Sequence, residues 1–473
     1  MLKSRLFVVL STVVFWSSFS PAFAAEPAVE KPNIIFVLAD DLGIEGLSCY
    51  GTDRFKTPKI DALAQEGTRF THAYAAPLCG PSRATIMTGR YLFRTGATNQ
   101  DRVAQIKPDQ ETMIPKVLKL AGYASASIGK WSQFGLTPAD FGFERYLCYQ
   151  GSGIYWNTQK KGREYLVDGK TVALNDKEYM PDMMHKFLVN FMEEHLKQPF
   201  FVYYSLSHVH SEILPTPDSA PDSKDLYADN IAYLDKLVGQ LVAELDRLDL
   251  RKKTLIIFVG DNGSVGGQSQ LCSIGGRKVY GCKGTMEEGG SLVPLIANWP
   301  GTTPAGKVSG DLIDFSDFLP TFAALASASL PANTVIDGRS FAPQLIGQTG
   351  QPRDWIFVQL AKMWYVRSAG WKLNQNGDLF DMSDAPFAEK PVAADSQDPA
   401  ALAARQSLQT ALTQLNPAGG ILDDGDGSGR HGNKAKKKKE GKEGKAAKEG
   451  KEPKEGKKNK EAKESKPTTE EEE

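Results

Sequence analysis

Apolar runs of strand length alternate with helical stretches along most of this chain, and this alternation limits its fold more than any other feature. Residues 33–39 form a nearly continuous apolar run, as expected for a parallel strand covered on both faces. Similar runs at 124–128, 199–205 and 254–259 are separated by helical stretches, the longest at 226–248. The pattern predicts an α/β fold with a large mixed, mostly parallel sheet and helices on both faces.

The pattern changes after residue 330. Four short runs between residues 355 and 382 surround turns such as Asn376-Gly377 and predict antiparallel strands, and residues 400–415 follow as one amphipathic helix. We therefore expect a main domain over residues 25–330 and a small C-terminal α+β subdomain with an antiparallel sheet over residues 331–420.

The two ends of the chain lack the pattern of a globular domain. Residues 1–24 combine a basic start, an apolar stretch and small residues ending in Ala24, which is typical of a cleaved secretory signal peptide. The apolar stretch is shorter than the about 20 residues that a membrane-spanning helix requires. We expect an exported protein, periplasmic or extracellular, with no membrane attachment after cleavage.

The C-terminal tail, residues 421–473, is rich in Gly, Ser, Lys and Glu. From Lys434 onward it contains 15 Lys against 11 Glu and very few apolar side chains. Such a segment buries too little surface to offset its chain entropy, so we expect it to be disordered. A role as a cell-surface tether is the alternative to a simple solvated tail.

Charge and cysteine content exclude several classes of function. The net charge is −1, and because the tail is basic, the rest of the chain is acidic. A basic nucleic-acid-binding surface is therefore not expected. Five cysteines without Cys-x-x-Cys pairs form neither a disulfide scaffold nor a structural zinc site. Cys272 and Cys282 are close enough in sequence to pair in an exported protein, but we do not expect a bridge between them.

Two of the predicted strands end in oxygen-bearing side chains. Asp40 and Asp41 follow the first strand, and Asp261 and Asn262 follow the strand at 254–259. Because ligands gather at the carboxyl ends of parallel strands, we expect these side chains to lie together. Three carboxylates repel one another unless a cation neutralises them, and oxygen ligands favour a hard ion such as Ca²⁺ or Mg²⁺. Taken separately, each pair is equally compatible with a helix cap or a turn.

A segment between these strands predicts an anion site. The segment is Cys79-Gly80-Pro81-Ser82-Arg83-Ala84. Without its neighbours, the cysteine would be interpreted as a small buried hydrophobic residue. Pro81 and Ser82 open a predicted helix whose N-terminus favours an anion. Arg83 adds a permanent cation with a donor fork suited to tetrahedral oxyanions. The combination indicates a site for a sulfate or phosphate ester.

The same segment carries a resemblance to a known family. Cys-x-Pro-Ser-Arg followed by Thr88-Gly89-Arg90 resembles the signature of the formylglycine-dependent, type I sulfatases of the alkaline-phosphatase superfamily. Further segments are similar to family motifs in the same order: Pro32 to Gly43, Thr57 to Ala64, Gly129-Lys130-Trp131, Asp261-Asn262-Gly263, Lys283-Gly284, Glu288-Gly289-Gly290 and Trp299-Pro300-Gly301. The resemblance covers nearly all of the chain between the signal peptide and the Lys/Glu tail.

The resemblance implies a modified nucleophile and one metal ion. It implies that a formylglycine-generating activating enzyme oxidises Cys79, and that the gem-diol of the product attacks the sulfate ester and then expels sulfate. It also implies one Ca²⁺ that orients the sulfate and the gem-diol. The implied ligands of this ion are Asp40, Asp41, Asp261, Asn262 and the converted Cys79.

The resemblance also assigns roles to the cationic side chains around the nucleophile. Arg83 is implied to support the gem-diol, and Lys130 and Lys283 to bind the sulfate oxygens. His210, in Ser207-His208-Val209-His210, matches the family histidine that helps to protonate the leaving oxygen.

One position departs from the family pattern. The family usually reads Gly-Lys-Trp-His, but Ser132 occupies the fourth position here, where the histidine is implied to bind sulfate or assist its elimination. Three replacements are open: a hydrogen bond from Ser132 to the substrate, a water molecule, or His208 as the base. We expect turnover to persist.

The expected substrate is a sulfate ester of a small molecule or a polysaccharide, and we expect the sulfated molecule to be a carbohydrate. Residues 151–170, with Ser152, Tyr155, Trp156 and Asn157, are candidates either for a sugar subsite or for loop packing. Two other functions stay open at this point: a phosphoester or phosphonate hydrolase on the same fold, and a non-catalytic sulfoglycan-binding protein.

Overall fold

A computed structural model of the protein describes residues 31–151, 153–157 and 162–431. The predicted signal peptide, Ser152 and residues 432–473 of the tail lie outside the described residues. Within the described ranges, no helix has both the length and the apolar character needed to cross a bilayer.

The main domain is built on a large mixed sheet. Its strands are β1 (Asn33–Ala39), β2 (Thr68–Tyr74), β3 (Ala124–Lys130), β4 (Arg145–Tyr149), β5 (Glu164–Val167), β6 (Lys170–Ala173), β7 (Phe200–Ser205), β8 (Thr254–Gly260), β9 (Leu292–Asn298) and β10 (Lys307–Asp314). They lie in the order β10-β2-β9-β8-β1-β7-β3-β4-β5-β6. The central strands β8, β1, β7, β3 and β4 pair in parallel, whereas β9 is antiparallel to both of its neighbours. The predicted α/β class is confirmed.

Helices cover both faces of this sheet. The α-helices of the described residues are α1 (Pro58–Gln65), α2 (Cys79–Thr88), α3 (Leu92–Thr95), α4 (Ile114–Leu120), α5 (Met180–Glu194), α6 (Leu226–Arg247), α7 (Gly266–Ser269), α8 (Glu288–Ser291), α9 (Phe318–Leu325), α10 (Ala342–Leu345) and α11 (Pro399–Leu415), of which α11 packs on the smaller sheet. In β1, Ile35 and Val37 enter the hydrophobic core on one face, and Ile34 and Phe36 enter the core on the other. Because side chains alternate along a strand, burial on both faces requires the continuous apolar run seen in the sequence.

The register of β1 with its neighbours sets the position of the polar residues that follow them. Ala39 pairs with Gly260 of β8, and Leu38 pairs with Ser205 of β7. The chain therefore leaves β1, β7 and β8 at the same edge of the sheet, which is the carboxyl edge expected to collect ligands.

The C-terminal subdomain is a purely antiparallel sheet covered by α11. Its strands are β11 (Ile356–Leu360), β12 (Met363–Arg367), β13 (Trp371–Asn374), β14 (Leu379–Asp381) and β15 (Lys390–Val392), in that order. Its apolar face packs on α11 and on Tyr91 and Phe93 of the main domain. The predicted small antiparallel sheet is confirmed, and hydrogen bonds with the main domain continue past residue 420 to Gly429.

A buried ion pair joins the two sheets. Arg367, at the end of β12, donates from Nε to Glu288 Oε1 over 2.8 Å, and both side chains are 1% exposed. Tyr74 of β2 donates its hydroxyl to Glu288 Oε2 over 3.0 Å. The carboxylate thus receives donors from both domains, and losing either charge would leave the other buried without a partner.

We predict that Arg367→Ala lowers the free energy of unfolding by about 3–5 kcal/mol, because it leaves Glu288 as an uncompensated buried charge. Arg54→Ala is the control, since Arg54 pairs with Asp225 at the surface, with side chains 26% and 43% exposed. Its loss should cost at most about 1 kcal/mol. Urea-induced unfolding measures both. An equal effect of the two substitutions would show that the buried pair does not stabilise the domain junction.

Candidate active site

The polar residues that follow β1 and β8 lie together in the interior. The backbone N–H of Asp41 donates to Asp261 Oδ1 over 3.0 Å, and Asn262 Nδ2 donates to Asp41 Oδ1 over 2.8 Å. These residues and Asp40 are all at most 1% exposed. Residues more than 200 positions apart in sequence thus form one buried group of three carboxylates and one amide.

Three cationic side chains face these three carboxylates. Lys130 Nζ donates to the two oxygens of Asp40 over 2.6 and 2.8 Å, and Lys283 Nζ donates to Asp41 Oδ1 over 2.5 Å. Arg83 donates to Asp261 Oδ2 from Nε over 3.1 Å and from Nη2 over 2.7 Å. From the sequence we expect a metal ion to neutralise the carboxylates, whereas in the structure these three side chains already balance their charge.

The electrostatics of the cluster differ between its two central carboxylates. Burial by itself would raise the pKa of Asp40, but the nearby charges of Lys130, His210 and Arg83 outweigh it and hold this pKa well below its usual range. Burial and the negative charge of Asp40 raise the pKa of Asp261 to about 6. Asp40 is therefore the more firmly ionised of the two.

Cys79 is the first residue of α2, two positions earlier than the helix start predicted at Pro81. The helix begins there because Leu78 is extended and Pro81 falls within the first turn, where proline is tolerated. The Cys79 side chain is 1% exposed, and its Sγ lies within 4.8 Å of carboxylate oxygens of Asp40 and Asp261. The candidate nucleophile therefore borders the carboxylate cluster.

Arg83 lies one turn further along α2, on the same helix face as Cys79. Its guanidinium is fully buried, and Nη1 contacts Ser205 Oγ and donates to the backbone carbonyl of Lys130 and to the hydroxyl of Tyr203, both over 3.3 Å. Together with the bonds to Asp261, these contacts fix the side chain in one orientation. Arg83 therefore ties α2 to the ends of β3, β7 and β8.

Of the two histidines after β7, only His210 reaches the cluster. His210 Nε2 lies 3.6 Å from Asp41 Oδ2, and the ring is 13% exposed. His208 is fully buried beside Tyr179, whose hydroxyl lies 2.9 Å from His208 Nε2. Burial lowers the pKa of His208 to about 3, so this ring is neutral near pH 7. The lowered pKa makes His208 a weak proton acceptor, and its contact with Tyr179 turns the ring away from the cluster, so both observations argue against His208 as the missing base.

Ser132 and the aromatic residues of the 151–170 segment make contacts within the protein. Ser132 is buried and its hydroxyl contacts the side chain of Gln133. Tyr155 is buried, with its hydroxyl 2.8 Å from the carbonyl of Ser207, and Trp156 Nε1 donates to the carbonyl of Pro215 over 2.8 Å. These contacts favour packing over an exposed sugar platform for the two aromatic residues.

Two buried oxygens test whether the residues fit a metal ion. Among the described residues, nothing donates a hydrogen bond to Asp41 Oδ2 or Asn262 Oδ1. Buried polar atoms are rarely left without a partner, and each one requires an explanation. A hard cation satisfies carboxylate and amide oxygens directly, so the donor set fits Ca²⁺.

One polar residue of the site is not indicated as a site residue by any pattern in the sequence. Gln100 Nε2 donates to Cys79 Sγ over 3.0 Å. Gln100 lies in a loop outside all the motifs named in the sequence analysis. Its contact with Cys79 is therefore visible only in the folded structure.

Comparison with known proteins agrees with this geometry. The sequence model of the sulfatase family matches residues 32–328. Arylsulfatase A of Homo sapiens is 34% identical over 374 residues, covering 71% of this chain and 72% of that protein. N-acetylgalactosamine-6-sulfatase of Canis lupus familiaris is 31% identical over 379 residues, covering 72% and 70%.

Solved structures share the fold of this chain. The crystal structure of Ps i-CgsB in complex with k-i-k-neocarrahexaose superposes with a TM-score of 0.71 at 28% identity, covering 82% of this chain and 93% of that one. A phosphonate monoester hydrolase from Silicibacter pomeroyi shares the fold, with a TM-score of 0.60 at 18% identity, covering 82% and 96%. With the family match over most of the described chain, the conclusion is that this protein belongs to the sulfatase family and is a sulfuric ester hydrolase.

Proposed function

We propose that this protein is an exported sulfatase that removes sulfate from a carbohydrate, using a formylglycine made from Cys79 and one bound Ca²⁺. The observation that carries the proposal is the position of Cys79 Sγ beside Asp40 and Asp261, in a buried group of carboxylates and cations. Export rests on the signal-peptide pattern of residues 1–24.

The metal part of the proposal rests on the donor set. Asp40, Asp41, Asp261, Asn262 and the converted residue 79 would hold the ion, and the oxygens of Asp41 and Asn262 without hydrogen-bond donors support this. When bound, Ca²⁺ supplies positive charge against the sulfate oxygens. The protein contributes a water-poor pocket in which the ligands are already oriented.

The cationic side chains and His210 have different proposed roles in the reaction. Formylglycine supplies, in its hydrated form, a nucleophilic oxygen at residue 79. Arg83 is fixed by its contacts and orients this residue from the same helix face, whereas Lys130 and Lys283 have flexible stems that can turn from carboxylates to sulfate oxygens. His210, partly exposed at the cluster, is placed to pass a proton to the leaving oxygen.

The proposal does not require an imidazole at position 132. Ser132 is buried against Gln133, and His208 is neutral and turned toward Tyr179. We propose that sulfate elimination proceeds without a side-chain base from either position, with water as the proton acceptor.

The carbohydrate assignment is supported by what the relatives act on. One relative above 30% identity is an N-acetylgalactosamine-6-sulfatase, and Ps i-CgsB was crystallised with k-i-k-neocarrahexaose. Steryl-sulfatase of Homo sapiens is also similar, at 31% identity over 439 residues. A sulfated sugar and a sulfated sterol are therefore the two substrates to compare.

We predict that Cys79→Ala abolishes sulfatase activity, with a loss of roughly 10³-fold or more, because it removes the nucleophile. Wild-type protein produced with a formylglycine-generating enzyme should show a lower mass for the peptide containing residue 79, since sulfur is exchanged for oxygen. Cys272→Ala is the control, because Cys272 is equally buried and is a free thiol. Its activity should stay near wild type. Full activity of unconverted protein, or of Cys79→Ala, would contradict the proposed nucleophile.

We predict that fully converted protein desulfates carrageenan-type oligosaccharides with a kcat/KM at least about tenfold above that for a steryl sulfate, a difference of about 1.4 kcal/mol in transition-state binding. Sulfate release measured by ion chromatography compares the two substrates directly. A phosphate monoester of the same sugar is the third arm. Preference for the sterol or for the phosphate would overturn the assigned substrate class.

A further inference from the structure

Gln100 is held so that one end of its side-chain amide faces the reactive residue. Its Oε1 accepts a hydrogen bond from the backbone N–H of Gly80 over 2.7 Å, and its Nε2 donates to Cys79 Sγ over 3.0 Å. Because a backbone N–H can only donate, the contact with Gly80 fixes which end of the amide is oxygen. The nitrogen is therefore the end that faces residue 79.

The distance to the sulfur suits an oxygen acceptor. A separation of 3.0 Å lies within the ordinary range for N–H···O hydrogen bonds. The thiol sulfur stands where an oxygen of the converted residue would lie. We infer that Gln100 is a further catalytic residue, which donates a hydrogen bond to an oxygen of converted residue 79 and holds it toward Asp40 and Asp261. This inference rests on the proposed function.

The first turn of α2 leaves room for this amide. A Cβ atom at Gly80 would lie 2.1 Å from Gln100 Oε1 and 3.2 Å from Val103 Cγ2. Glycine is a poor helix former, so its place inside α2 carries a cost in helix propensity. The close approach of Gln100 explains why the second position of the Cys-x-Pro-Ser-Arg motif has no side chain here.

The segment 421–431, which we call the C-terminal strap, holds the loop that carries Gln100. The backbone N–H of Gln100 donates to the carbonyl of Gly429 over 2.8 Å. Asp423, only 5% exposed, accepts hydrogen bonds from Thr98 Oγ1 over 3.0 Å and from Asn99 Nδ2 over 2.5 Å. The loop is thus bound to the strap both at Gln100 and just before it.

The chemistry of an amide limits what Gln100 can do. A neutral amide donates at every pH and transfers no proton, so it cannot replace the base that is missing at position 132. It can stabilise negative charge that develops on the oxygen it faces, as a preorganised donor. Its effect should therefore appear in kcat more than in KM.

We predict that Gln100→Glu lowers kcat about 10²-fold, with KM changed less than threefold, because it removes one donor to the reacting oxygen. The substitution keeps the size of the side chain and the oxygen that accepts from Gly80. Activity relative to wild type should rise as the pH falls, since a protonated carboxyl group can donate again. Each rate is calculated per molecule of converted protein, and the converted fraction is measured by peptide mass spectrometry. Gln105→Glu is the control, because Gln105 is an exposed glutamine of the same loop.

A second readout does not depend on activity. In protein made without the activating enzyme, Cys79 remains a thiol that is 1% exposed, so iodoacetamide alkylates its thiolate only when the site opens, and rates are compared between variants shown by urea-induced unfolding to be equally stable. A negative charge beside the sulfur disfavours the thiolate, so Gln100→Glu should slow alkylation of Cys79 at pH 8 at least about threefold. Peptide mass spectrometry follows the reaction, and Gln105→Glu should leave its rate unchanged.

The strap is tested through Asp423. Asp423→Ala should lower kcat about tenfold and combine non-additively with Gln100→Glu, because both act on one contact. Asp426→Ala is the control, since Asp426 is exposed and accepts hydrogen bonds from Ser428 of the strap itself. Unchanged kcat and alkylation in Gln100→Glu would overturn the inference and leave the sulfatase function intact. Converted wild type without turnover would instead overturn the proposed function, and the alkylation assay would still test the contact.

Discussion

The active site depends on the mutual neutralisation of three buried carboxylates and three buried cations. Asp40, Asp41 and Asp261 carry the negative charges, and the positive charges come from Lys130, Lys283 and Arg83. Removing one member leaves a charge in the interior without compensation, which costs several kcal/mol. The cluster joins the ends of β1, β3 and β8 with α2 and the loop before α8. It thus connects parts of the chain that share no local structure.

The same arrangement of charges suits the calcium ion and the sulfate ester of the proposed function. In the proposed function, a calcium ion would bring two positive charges and the sulfate ester one negative charge, so the two together would add one positive charge to the cluster. Lys130 and Lys283 would turn from the carboxylates to sulfate oxygens, and Asp40 and Asp41 would then be free to hold the ion. Arg83 keeps its partners, because Asp261, Ser205 and the carbonyl of Lys130 hold it from three sides. Arg83 is thus the fixed cation of the site, whereas Lys130 and Lys283 are the cations that can change partners.

The sequence predicts the features that arise from local patterns. The strands β1 and β8 follow from apolar runs buried on two faces, and the acidic pairs after them follow from strand direction. Strand β9 is harder to predict from the sequence, because Pro294 lies in its middle, where proline is normally excluded. The structure accommodates it opposite an irregularity in β2 between Phe70 and Ala73.

Other parts of the site depend on contacts between distant segments. Gln100 meets Cys79 only because the loop after α3 folds against the first turn of α2 and is bound by the strap. Likewise, the motif with two histidines cannot show which ring points outward. The packing of His208 beside Tyr179 decides it. Such contacts leave no periodic pattern or fixed spacing in the sequence, so they cannot be predicted from it.

The most direct test of the proposed calcium site is a crystal structure of the converted protein grown with Ca²⁺, with the ion located by anomalous scattering. The account predicts one peak within about 2.3–2.6 Å of oxygens from Asp40, Asp41, Asp261 and Asn262, the range for calcium ligands. Lys130 and Lys283 should then be turned away from the carboxylates. Absence of a peak at saturating Ca²⁺, with both lysines still on Asp40 and Asp41, would contradict it.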